Sequence, residues 1–298
     1  YPFDGNFLLG MGFQMATING GTLKFTGAPA ATNKTWPIID SSEGVGEGGG
    51  GGTRWNLVAN PFPSYIHGNT NADSSNNFLT VNTDKLHDSY EAIYGYDADG
   101  SGYTAYNNTS SALNLAPGQA FMVASDNTSS DNISFTTDMR TIVGGDDLIV
   151  GDILEDTFEL IIKLYDGDTE LDYTKFYFAD GLSLGLDPGY DAGNFNQGAS
   201  LMSRLVEEDE GVGLVINAMG LESVNDVVVP LEINRESGNS FRISIDTFDI
   251  YAGTNVYLED NVQGTMTLLN EQDFELTPEN NLSGVGRFFI HLTETTFS

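Results

Sequence analysis

Short alternating segments punctuated by Gly, Asn and Asp run through the whole chain, and helical periodicity is scarce. Residues 157–165 (TFELIIKLY) set Phe158, Leu160, Ile162 and Leu164 on one side of an extended backbone. Residues 241–246 (FRISID) set Phe241, Ile243 and Ile245 against Arg242, Ser244 and Asp246, and residues 287–292 (RFFIHL) align Phe288, Ile290 and Leu292. Stretches 226–233, 255–259, 54–60 and 92–96 are further strand candidates. Successive side chains of a strand point to opposite faces, so a period of two with β-branched and aromatic residues predicts half-buried strands. Many short strands with frequent turns predict an all-β fold: two β-sandwich domains, jelly-roll or Ig-like, with little helix.

A boundary is expected near residues 141–152 (TIVGGDDLIVGD), which separates a domain of residues 1–142 from one of residues 152–298. The first carries an internal echo: residues 10–17 (GMGFQMAT) resemble residues 118–125 (GQAFMVAS), and each is followed by a second strand, TLKFT at 22–26 and NISFT at 132–136. One hairpin used twice explains this, as does chance similarity of two strands. The small residue ahead of Phe13 and of Phe121 allows a neighbouring backbone to come close. The run at 44–52 (GVGEGGGGG) reads as a loop tip inside this domain.

Charge narrows the function classes. The 298 residues hold 43 acidic and 11 basic side chains, a formal −32. Up to Val150 there are 15 acids and 5 bases (−10); beyond it there are 28 and 6 (−22). Such a field repels phosphate backbones and anionic membrane surfaces, so no nucleic-acid partner and no direct membrane insertion are expected. Hydrated acidic surfaces are the commoner reason for such a charge, and divalent-cation binding is the other. The absence of Cys removes disulfides, thiolate nucleophiles and Cys-based zinc sites. The chain opens at Tyr1 with no signal-peptide pattern and contains no apolar run of membrane-spanning length, which reads as a mature protein or a piece of a longer one.

Motifs with chemical meaning fare poorly. Gly44-x-Gly46-x-x-Gly49 lacks the strand before it and the helix after it that a dinucleotide site requires. Gly181-Leu182-Ser183-Leu184-Gly185 has the nucleophile-elbow spacing, yet the turn formers Asp187-Pro188-Gly189-Tyr190 stand where the helix should start. His67, His87 and His291 show no metal-ligand spacing, and carboxylate pairs for glycoside hydrolysis cannot be picked from 43 acids. No catalytic residue is assigned, and the chain is expected not to be an enzyme.

Two binding candidates stay open. Asp97-Ala98-Asp99-Gly100-Ser101-Gly102 either turns a hairpin or gathers Asp97, Asp99 and Ser101 around Ca²⁺; the turn is favoured because the twelfth loop position is Asn108 rather than Glu. Asp166-Gly167-Asp168 carries the same ambiguity more weakly. Tyr94, Tyr96, Tyr103 and Tyr106 around that turn either stabilise the hairpin as cross-strand pairs or offer rings to a glycan or partner.

The most distinctive stretch is Arg54-Trp55-Asn56-Leu57-Val58-Ala59-Asn60-Pro61-Phe62-Pro63-Ser64. It resembles the W-N-L-x-x-N-P-[YF]-P-S motif of secreted Bacteroidetes proteins, in which a Tyr-rich hairpin and a P-x-G-Q-[GA]-F-x-V strand follow. The matching pieces here are residues 93–106 and 116–124 (APGQAFMVA). The second half resembles the module that commonly comes next in those proteins, through Asp187-Pro188-Gly189-Tyr190-Asp191-Ala192, Val229-Pro230-Leu231, Ile243-Ser244-Ile245-Asp246, Val256-Tyr257-Leu258-Glu259-Asp260 and residues 287–292. The chain departs from the pattern in the Gly run and Arg54 before Trp55, and in Tyr65-Ile66-His67-Gly68 after Ser64. The resemblance implies export by the type IX secretion system to the cell surface or medium. It also implies a structural or adhesive module whose partners are other domains of the same polypeptide or surface proteins. The rival expectation is a carbohydrate-binding module of a polysaccharide-degrading enzyme.

Overall fold

A computed structural model describes residues 8–12, 27–42, 53–96, 103–128, 131–144, 158–195, 200–251 and 253–296. Strands dominate it, and its only α-helix among the described residues is the single turn α1 (Phe78–Asn82). The chain divides into two compact units, Tyr1–Ile153 and Leu154–Ser298. The Gly run at 44–52, the calcium candidates Asp97, Asp99 and Ser101, most of the first echo and the predicted strand at 22–26 lie outside the described residues.

The strands of the first unit are β1 (Lys34–Ile38), β2 (Trp55–Ala59), β3 (Tyr65–His67), β4 (Ile93–Tyr96), β5 (Tyr103–Tyr106), β6 (Asn114–Leu115), β7 (Ala120–Ala124), β8 (Asp131–Phe135) and β9 (Arg140–Thr141). They form a four-stranded sheet β2-β7-β4-β5, a pair β1-β8 and a three-stranded sheet β6-β3-β9. All three sheets bury residues in one cluster: Val58, Ile93 and Phe121 from the first, Ile133 and Phe135 from the second, Ile66 and Leu115 from the third. Phe78 of α1 fills the space between them, its ring 5.0 Å from Phe121 and 5.4 Å from Phe135. Burying such a ring stabilises the fold by about 1.5–3 kcal/mol.

The second echo is β7 itself, which pairs with β2, and the described start of the first lies along the other edge of β2. Met11 bridges Val58, with Gly12 N donating to Leu57 O (3.2 Å) and Ala59 N to Gly10 O (3.0 Å). A Cβ on Gly12 would stand 2.5 Å from Leu57 Cγ and 3.0 Å from Val58 O, so this approach admits only glycine.

The second unit holds β10 (Phe158–Asp166), β11 (Thr169–Ala179), β12 (Ala192–Gly193), β13 (Leu201–Ser203), β14 (Leu214–Gly220), β15 (Asp226–Ile233), β16 (Phe241–Asp249), β17 (Asn255–Asp260), β18 (Thr265–Leu268), β19 (Phe274–Leu276) and β20 (Phe288–Thr293). They make one sheet, ordered β18-β17-β20-β15-β13-β14-β11-β10-β16-β19, with β12 also on β14. The sheet rolls over on itself. Its terminal strands, β18 and β19, are joined by only residues 269–273, and Phe241 (β16), Phe274 (β19) and Phe288 (β20) meet with ring centroids 5.9–6.4 Å apart despite their distance along the strand order. Leu160, Ile162, Leu164, Ile243, Ile290 and Leu292 all lie in the enclosed core, on the faces their alternation predicts.

Candidate functional site

The W-N-L-x-x-N-P stretch is β2 and the turn after it, and its polar residues are spent on holding the unit together. Asn60 is 3 % exposed. Its Nδ2 donates to the carbonyls of Ser64 (2.9 Å), Leu115 (3.1 Å) and Ala116 (3.0 Å), and its Oδ1 accepts from Phe62 N (2.9 Å). Its backbone exchanges bonds with Gln119 O and Gly118 N, while Gln119 Oε1 closes the same loop by accepting from Ala116 N (2.7 Å). The two distinctive motifs of the first unit, N-P-F-P-S and P-G-Q, are therefore the two halves of one clip. Asn56 acts likewise: its Oδ1 accepts from Ile39 N (3.2 Å) and its Nδ2 donates to Ile39 O (3.0 Å), as a paired strand residue would.

Further asparagines repeat the device. Asn69, fully buried, accepts from Leu113 N (3.0 Å) and Ala72 N (3.2 Å) and donates to the carbonyls of Asn107, Ser110 and Ser111. Asn82 exchanges both amide bonds with Ser134 of β8 (2.7 and 3.0 Å), and Asn77 caps α1 by accepting from Thr80 N (2.9 Å). A buried backbone group left without a partner costs about 1–3 kcal/mol, which makes these clips structural necessities.

The four tyrosines do not form one exposed face, so the glycan or partner alternative could not engage all four rings together. Tyr94 is 1 % exposed, with Trp55 against it edge-on at 4.9 Å, and Tyr106 is 7 % exposed on the opposite, core-facing side of the sheet. The alternation explains the split: Tyr94, Tyr96 and Tyr103 share one face, while Tyr106 pairs with Ile93 on the other. Tyr96 and Tyr103 stand opposite each other with rings 5.2 Å apart, and Tyr96 is 55 % exposed.

The nucleophile-elbow spacing is a turn. Asp187 Oδ2 accepts from Ser183 N (2.7 Å) and Oγ (3.0 Å), and Ser183 Oγ accepts from Gly185 N (3.2 Å). His291 Nε2 lies 2.8 Å from Glu259 Oε2, His67 Nδ1 lies 2.9 Å from Asn114 Oδ1, and His87 Nδ1 accepts from Ser89 N (3.3 Å). Burial, followed by the Arg54 charge, lowers the His87 pKa. Among the described residues no three of His, Asp and Glu gather with metal-binding geometry. A groove of about 540 Å³ on the second unit is bordered by Asp168, Ser240, Arg242, Glu275 and Thr277, but its one cation is engaged: Arg242 Nη1 bonds Asp273 (2.8 Å) and its guanidinium covers Tyr165 at 4.3 Å.

Two carboxyls are buried in a way the sequence reading does not foresee: it does not single out Glu91, and it names Asp191 only within the 187–192 stretch. Asp191, fully buried, accepts from Ala218 N (2.7 Å) and Asp187 N (2.7 Å), and burial raises its pKa to about 7. Glu91, 3 % exposed, is raised to about 7 for the same reason, and among the described residues its Oε2 has no hydrogen-bond partner.

A family model described as a domain of unknown function, DUF8693, matches residues 9–291. The chain belongs to the DUF8693 family. Comparison with curated proteins and with solved structures returns no match. The DUF8693 span runs from ahead of β1 into β20, so it takes in the Asn60 clip and the rolled sheet together.

Proposed function

We propose that this chain is a non-catalytic extracellular module, a stalk, spacer or subunit of a surface assembly, within a longer protein exported by the type IX system. The observation that carries the reading is the Asn60 clip: the most distinctive motifs of the chain expend Asn60 and Gln119 Oε1 on each other's backbone and on their own turns. The Ser183 turn and the engagement of His291 by Glu259 point the same way. Surface localisation rests on the resemblance to secreted Bacteroidetes modules.

A second reading has one observation in its favour. The exposed Tyr96 beside Tyr103 could stack on a sugar ring. Pull-down of the purified chain on insoluble polysaccharides separates the two. The structural reading expects no retention and no release of soluble sugar, with the native protein recovered from the cell surface in a larger covalent chain or complex. Retention abolished by Tyr96→Ala or Tyr103→Ala, with the melting temperature unchanged, would replace it with the carbohydrate-binding reading.

A further inference from the structure

We propose that Glu91 is a pH-operated latch: uncharged, it holds the Asp88–Tyr90 turn against Trp55, and ionised, it lets that turn swing away and uncovers the indole. The turn spans two anchor points on β7. Ahead of it, Leu86 bridges Ser125 and His87 N donates to Ala124 O (3.1 Å); after it, Tyr94 pairs with Met122. The backbone bonds within the turn are local ones, Tyr90 N to His87 O (2.8 Å) and Ala92 N to Tyr90 O (2.7 Å). Docking involves the Tyr90 ring, edge-on to Trp55 at 5.3 Å and 5.3 Å from His87, and the burial of the Glu91 side chain next to it.

That side chain is poorly served as an anion. Among the described residues one oxygen lacks a partner, the Thr83 hydroxyl supplies one hydrogen bond, and the charged group acting on it is the Asp88 carboxylate, which repels it. The nearby cations are committed elsewhere: Lys85 to Asp84 (2.9 Å) and Asp131 (3.2 Å), Arg54 to Asp40 (3.8 Å) and to the Tyr90 face. An unpaired carboxylate in such a place either keeps its proton or moves to water. Burial raises the Glu91 pKa to about 7, which puts that choice at neutrality. Release would expose Trp55 on the sheet face that also carries Tyr94 and Tyr96, so the aromatic surface would be larger in alkaline than in acid medium.

Both tryptophans, Trp36 and Trp55, lie in the first unit with Glu91, whereas Asp191 belongs to the second. The test is a titration of the full chain from pH 5 to 9 in a Trp36→Phe background, with far-UV circular dichroism recorded in parallel. The latch predicts a red shift of Trp55 emission with its midpoint near neutrality and an unchanged dichroism spectrum. Glu91→Gln should abolish the shift, and Asp88→Asn, which removes the repelling charge but leaves Glu91, should lower the midpoint because ionisation of Glu91 becomes easier. A flat wild-type titration, a shift that persists in Glu91→Gln, an Asp88→Asn midpoint that does not fall, or simultaneous loss of the dichroism signal would each overturn the latch.

Discussion

In the first unit, Asn60 and Asn69 tie loops to strand ends through neutral amides; the second has such an amide in Asn270, which accepts from Val256 N and donates to Thr254 O, but is richer in charged pairs. All six Lys and Arg residues beyond Val150 meet carboxylates: Lys163 with Glu170 and Asp246, Lys175 with Glu159, Arg204 with Glu232 and Asp209, Arg235 with Asp166, Arg242 with Asp273 and Arg287 with Asp260. With 28 acids against those six bases, the carboxylates beyond Val150 far outnumber the cations that could pair with them. Amide bonds carry no net charge and should ignore salt, whereas charge pairs and unpaired acids tie stability to the medium. Two cores built from the same alternating pattern are thus held by polar chemistries with different sensitivities.

The contrast is most exposed to failure at Asn69. Asn69→Ala removes a hydrogen bond from each of two N–H groups and three carbonyls, leaving the buried Leu113 N and Asn107 O worst served, and should destabilise the first unit by about 3 kcal/mol. Urea unfolding followed by tryptophan fluorescence would read it, because both tryptophans lie in this unit. A cost that changes greatly between low salt and 1 M NaCl would contradict the amide picture.

Asp260→Asn tests the other side. Asp260 is fully buried and holds Arg287 through both oxygens (2.9 and 2.7 Å), and its Oδ1 also accepts from Val262 N (3.0 Å). Removing its charge leaves a partly buried guanidinium without its counterion and should cost the second unit about 2 kcal/mol, seen as a lowered calorimetric transition. An unchanged transition would show that the pair is ornamental.

Asp191 gives the smallest effect and the clearest pH signature. Its folded pKa, about 7, lies above the ordinary carboxyl value, so between roughly pH 4 and 7 the folded chain keeps a proton that the unfolded chain has lost. Its contribution to stability is therefore present below the unfolded pKa and is lost as pH rises through 7. Asp191→Asn should flatten this slope, which is worth on the order of 2 kcal/mol between pH 5 and 8. The variant should also start lower at pH 5, since an amide offers one acceptor where Ala218 N and Asp187 N need two. An equal slope in both proteins would place the titration elsewhere.

Strands with clean alternation were legible from sequence alone. Asp226–Ile233 is β15, and the predicted strands at 157–165, 241–246 and 287–292 fall on β10, β16 and β20 with the expected residues in the core. Two long strands were not. β11 opens on Thr-Glu-Leu-Asp, too polar to announce a strand, and β14 (LVINAMG) is buried throughout, so it has no polar face to alternate with. Their parallel pairing joins the two halves of the rolled sheet, which leaves the topology invisible to local pattern. The tyrosine hairpin was legible as pairing, Tyr96 opposite Tyr103, but not as exposure, because what covers Tyr94 includes Trp55, almost 40 residues away along the chain. The burial of Glu91 and of Asp191 had no signature, although Asp191 stands in a quoted motif, since a buried acid looks like any other among 43.

The strand order of the second unit has a mechanical consequence. Its first strand, β10, lies between β11 and β16, and its last, β20, lies between β15 and β17, so neither is at a free margin of the sheet. Tension applied through the two ends of this unit must load two hydrogen-bonded ladders at each end together, and cannot begin by stripping away a border strand.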